Sequence, residues 1–112
     1  MSQQYQQKFS NYGSLDLSGT IIHEAPANNS SVVKSIRFNN SSACAITLSH
    51  YNASTATTSV IYTVNLSAGD IMTDTFPFYL NENDRLIATP TSTGTSFAIE
   101  GESGPNLGVR CK

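Results

Sequence analysis

From Cys44 to Tyr51 the chain changes character at every step. Cys44, Ile46, Leu48 and His50 fall on one side, and Ala45, Thr47, Ser49 and Tyr51 on the other, smaller and more polar. A period of two is the signature of a half-buried strand, and an amphipathic helix cannot present it. The pattern returns at Val60, Tyr62, Val64 and Leu66, set against Ile61, Thr63 and Asn65. No window carries a period near 3.6, so the chain is confined to β-structure.

Shorter segments extend the reading. Gly19–Glu24 is a β-branched run that stops at Ala25-Pro26. In Val32–Phe38 the alternation puts Val32, Ile36 and Phe38 on one face with the stem of Lys34, and Val33, Ser35 and Arg37 on the other. Ile71 starts a strand that Pro77 interrupts, because proline cannot donate to a ladder and marks an edge or a bend. Phe78–Leu80, Leu86–Thr89 and Phe97–Glu100 complete the set. Asn28–Ser31, Asn39–Ser42, Ser67–Asp70 and Asn81–Asp84 separate the segments as turns, since Asn tolerates left-handed backbone and bonds to its own loop. Seven or eight short strands at this spacing predict one all-β domain, an antiparallel sandwich of jelly-roll or immunoglobulin-like type over residues 18–102. Residues 1–17 and 103–112 lack sustained periodicity and read as two polar arms. Their apolar residues, Tyr5, Phe9 and Tyr12 in one and Pro105, Leu107 and Val109 in the other, are candidate interface anchors.

Composition narrows the function. Only 12% of residues are charged, the formal net charge is −2, and 16 Ser, 12 Thr and 10 Asn supply uncharged polarity instead. Six scattered Lys and Arg make no basic stripe, so nucleic acid is not an expected partner. No apolar run is long enough to cross a membrane as a helix, and the N-terminal residues lack the apolar stretch of a signal peptide. On that expectation Cys44 and Cys111 are two thiols, one of them in the core, rather than a disulfide. The Asn-x-Ser/Thr matches at Asn28, Asn29, Asn39, Asn40, Asn52 and Asn65 are then chance products of an Asn- and Ser-rich chain.

Constellations for chemistry are scarce. His23 and His50 have no Cys, Asp or Glu at metal-ligand spacing, and each reads as a satisfied or rim residue. There is no Gly-x-Ser-x-Gly elbow. Asn81-Glu82-Asn83-Asp84 lacks the spacing and glycine of a calcium loop and reads as a self-bonded turn. Neither catalytic residues nor a cofactor or metal are expected.

The order of these segments resembles small β-sandwich virion proteins of tailed bacteriophages. The resemblance rests on Val32–Ser42 as a strand ending in an Asn-Ser turn, Ala45–Leu48 as the next strand, and Leu66–Asp70 and Phe78–Leu86 as turns entering strands. Phe97–Glu102 closes the unit, so about two-thirds of the chain is covered. Where that family often has Gly-Asp in the second turn, this chain has Asn83-Asp84, which keeps a left-handed-tolerant residue before Asp. The resemblance implies a non-enzymatic virion component, foremost a capsid decoration or cement protein. Its partners would be the major capsid protein or neck and tail subunits, together with further copies of itself. A neck or tail component is a second expectation. A third is a glycan- or receptor-binding module on a fibre, with Tyr51, Tyr62 and Tyr79 available to stack on sugar rings.

Overall fold

A computed structural model of the chain describes residues 7–75 and 77–105. Those residues form nine strands and no helix: β1 (Gln7–Ser14), β2 (Thr20–Glu24), β3 (Ser30–Asn40), β4 (Cys44–Asn52), β5 (Thr57–Leu66), β6 (Ile71–Asp74), β7 (Phe78–Leu80), β8 (Arg85–Pro90) and β9 (Thr95–Gly104). The all-β sandwich expected from the periodicity is the fold observed.

One sheet runs β1-β9-β3-β6, with β7 also on β3; the other runs β2-β8-β4-β5. All pairings are antiparallel. β6 pairs with Ile36–Asn39 and β7 with Ser31–Val33, so the two are halves of one edge strand broken around Pro77. Counted as one, they leave two interleaved four-stranded sheets, which is the wrapped order of a jelly roll rather than an immunoglobulin sandwich. The core lies between the sheets. Val33, Ile36, Phe38 and Ile99 from one meet Ile22, Ile46, Leu48 and Leu86 from the other, all of them inaccessible or nearly so. Burying each such side chain contributes about 1.5–3 kcal/mol.

Four local expectations need correction. In β3 it is Val33, not Val32, that enters the core with Ile36 and Phe38, while Lys34 points to solvent. A bulge between Val33 and Ser35 inserts an extra residue and exchanges the faces. A second bulge sets Leu48 opposite Tyr62 but Ser49 opposite Val60, so Ile61 packs against the core and Val60 is 63% exposed. Residues 7–14, expected in an arm outside the core, are β1, paired along its whole length with Ser96–Ser103 of β9. Its sequence hid this, since an edge strand with one wet face need carry few apolar residues. β9 likewise continues to Gly104, beyond the end expected at residue 102.

Candidate functional site

Three polar clusters could carry chemistry, and each is occupied by the fold itself. At one end of the sandwich, Asn40 (1% exposed) closes β3. Its Oδ1 accepts from Thr95 Oγ1 at 2.6 Å. Its Nδ2 donates to the Ser42 carbonyl and, at 3.4 Å, to that of Leu66. Its backbone exchanges bonds with Gly69 and Asp70, so three loops converge on one amide.

At the other end Asp84, 2% exposed, plays the same part. Its Oδ1 accepts from Ala53 N at 2.9 Å and its Oδ2 from Asn81 N at 3.2 Å. His50 Nε2 lies 3.0 Å from Oδ2. Asn83 takes φ 66°, as the turn requires. The Asn81–Asp84 segment is thus the self-bonded turn expected, and its buried carboxylate is already fully engaged. Among the described residues no group of three His, Cys, Asp or Glu could hold a metal.

The third cluster joins β1, β2, β3 and β9. His23 Nε2 is 2.9 Å from Ser31 Oγ, which is 2.6 Å from Ser103 Oγ. A His–Ser pair invites comparison with a nucleophile and its base, but Ser31 is fully buried and no substrate could reach it. The Phe9 ring stacks on His23 with centroids 3.8 Å apart and planes 8° from parallel. Burial drives the His23 pKa down to about 4. Cys44 is buried in the core, as expected. Burial raises its pKa, but hydrogen bonds involving Ser92, Thr95 and Thr91 outweigh that effect and hold it at about 7.

The surface offers more. Two sheet edges meet on one side of the sandwich, β5 from one sheet and β6/β7 from the other. Between them lies an open groove of about 640 Å³ lined by Ile61, Tyr62, Met72, Asp74 and Phe78. Burial, and then the Asp74 carboxylate, push the Tyr62 pKa well above its usual value. β5 is an edge strand of ten residues, and among the described residues it is bonded only to β4. From Tyr51 to Gly69 there is no charged residue at all.

Of the anchors expected from the sequence, the structure describes Phe9, Tyr12 and Pro105. Phe9 is spent on His23. Tyr12 is 78% exposed on the outer face of β1, and Pro105 is a half-buried turn residue after β9. Tyr5, Leu107 and Val109, like Cys111, lie outside the described residues. The three tyrosines considered for sugar stacking are dispersed. Tyr51 lies under the Arg85 guanidinium at 5.2 Å, Tyr62 lines the groove, and Tyr79 is exposed on β7. Sequence reasoning missed the β5 edge and its groove, since which strand lies at an edge depends on topology. The uncharged run was the one available signal.

No protein-family model matches the chain, and no curated protein does. Solved structures do share the fold. A chain from Bacillus endospore appendages, a family of disulfide-linked pili, has a TM-score of 0.54 at 11% identity, over 91% of this chain and 88% of that one. A chain of the T13 IBDV viral particle has a TM-score of 0.56 at 10% identity over 89% of this chain. Only 31% of that viral chain is matched, so this protein spans about a third of its length. A pentameric capsid protein from metagenomic phage sequences has a TM-score of 0.45 at 14% identity, over 89% of this chain and 63% of that one. The fold is therefore one also found in a chain of a viral particle and in a chain of a pilus.

Proposed function

We propose that the protein is a non-enzymatic structural subunit of a virion, of the capsid decoration or cement type, that assembles through its sandwich edges. The observation that carries this reading is the β5 edge. A long edge strand exposes a row of unpaired N–H and C=O groups, and proteins usually blunt such rows with charge, proline or brevity. The other edges here carry such devices: Lys8 on β1, Glu24 and a bulge on the short β2, and Pro77 between β6 and β7. β5 has a bulge at Ile61 but no charge and no proline. Beside it the apolar wall of the groove supplies surface to cover. A strand of a neighbouring subunit would satisfy the backbone row and bury Ile61, Met72 and Phe78 together.

Further support comes from the fold, which capsid and pilus chains share, and from the order of strand and turn motifs shared with phage virion proteins. Partners on this reading are further copies of the chain and the major capsid protein, with Tyr5, Leu107 and Val109 as additional anchors. A neck or tail position is the alternative, distinguished by symmetry in the particle.

The edge is tested by the double variant Thr58→Lys/Val60→Lys, which places two charges at exposed positions of β5. Light scattering should find the wild-type chain oligomeric and the variant monomeric, with the two thermal midpoints close together. A wild type that stays monomeric at high concentration, or a variant of unchanged mass, contradicts assembly through this edge.

A further inference from the structure

The outer face of the β1-β9-β3-β6 sheet holds a feature that assembly through β5 does not use. Register places Tyr12, Ala98, Arg37 and Thr73 in one row across the four strands, and Ser10, Glu100 and Ser35 in the next. Ala98 is the small member of its row. Its methyl forms a floor, with the Tyr12 ring as one wall and the Arg37 side chain as the other. The result is a cleft of about 250 Å³.

Its walls are chemically unspent. Arg37 and Glu100 sit on adjacent strands, diagonal to one another, and neither makes an ion pair or side-chain hydrogen bond with another described residue. On the same face, by contrast, Lys34 and Glu102 do pair, at 3.3 Å. Tyr12 leaves 78% of its surface in water, the highest exposure of any large apolar residue described. The hydroxyls of Ser10, Ser35 and Thr73 border the same space.

We infer that this cleft binds a neutral saccharide. The face of a tyrosine ring takes the C–H face of a sugar, and its polar end stays wet. A carboxylate accepts from neighbouring sugar hydroxyls while a guanidinium donates to their oxygens, so the Arg37–Glu100 diagonal suits a vicinal diol. One cation beside one anion offers no net charge, which disfavours phosphates and nucleic acid. β9 and β3, which carry Ala98, Glu100, Ser35 and Arg37, are paired on both sides, so the floor of the cleft gives a peptide no backbone to extend. The volume lies below the ~300 Å³ at which drug-sized sites begin, and it fits the end of a glycan rather than a long chain.

The test uses the isolated full chain, so its outcome is independent of the virion reading. An array of neutral and acidic oligosaccharides identifies a hit, and NMR titration with that sugar locates it. The expected result is binding to a neutral glycan, with amide shifts concentrated on β1, β9 and β3. Tyr12→Ala and Arg37→Ala should each weaken it about tenfold while the thermal midpoint stays near that of the wild type. Glu100→Gln, which keeps an acceptor oxygen, should weaken it less. The inference is overturned if nothing on the array binds. Binding that Tyr12→Ala and Arg37→Ala leave unchanged, or that favours acidic glycans only, overturns it equally.

Discussion

Asn40 and Asp84 share a task at opposite ends of the molecule. Each is a buried polar side chain that gathers loops from both sheets, and each has its hydrogen-bonding capacity filled from distant parts of the chain. Replacing such a group leaves its partners buried without bonds, at a cost of about 1–3 kcal/mol for each group orphaned. Asn40→Ala strands the Thr95 hydroxyl and the Ser42 carbonyl, so urea unfolding should show a loss of about 2–3 kcal/mol. His23 provides a second test at this scale. Its folded pKa of about 4 lies below the ordinary 6.5, so the unfolded chain takes up the proton first. The stability that neutral His23 contributes is therefore complete above pH 6.5 and is lost as pH falls towards 4. Thermal midpoints measured across that window should decline for the wild type, and the decline should be shallower in His23→Gln.

At the level of strands, Gly101 shows why the β3 bulge must lie where it does. A Cβ on Gly101 would stand 2.1 Å from the Val32 carbonyl oxygen and 2.8 Å from the Phe9 ring. The bulged backbone of β3 thus presses directly on β9, and only glycine fits. Gly101→Ala should lower the unfolding free energy by several kcal/mol, or abolish folding, because the Val32 carbonyl is backbone and cannot swing aside. Both bulges mark the limit of what alternation reveals. Cys44, Ile46 and Leu48 face inwards as their period predicts, because β4 runs without an inserted residue on its own side. Val32 and Val60 were assigned to the wrong faces because one inserted residue inverts a period of two, and the insertion leaves no mark in composition. β1 is hidden for another reason: five of its eight residues are polar, Gly13 has no side chain, and Phe9 and Tyr12, three positions apart, make no period of two. The cleft on the outer sheet was illegible for a third, since Tyr12, Arg37 and Glu100 are neighbours only through cross-strand register.

For the whole molecule, low charge is the unifying property. The chain has fourteen Asp, Glu, Lys and Arg in total, and several are committed to pairs such as Lys34–Glu102 and Glu24–Arg85. Thr, Ser and Asn instead fill all the exposed positions of β5 but Val60. Such a surface hydrogen-bonds to a neighbour without stripping water from charges, a cost that charged interfaces bear. A jelly roll of this size also has a modest core, so the neighbour contacts proposed above would add stability that the isolated domain lacks. These features suit the structural role proposed above. The direct test of that role is quantitative mass spectrometry of virions purified from host cells that produce this protein, joined to an image that locates it. The expected result is a fixed, stoichiometric ratio to the major capsid protein and density at a defined symmetry position. Absence from the particle, or a trace amount unrelated to capsid copy number, contradicts it.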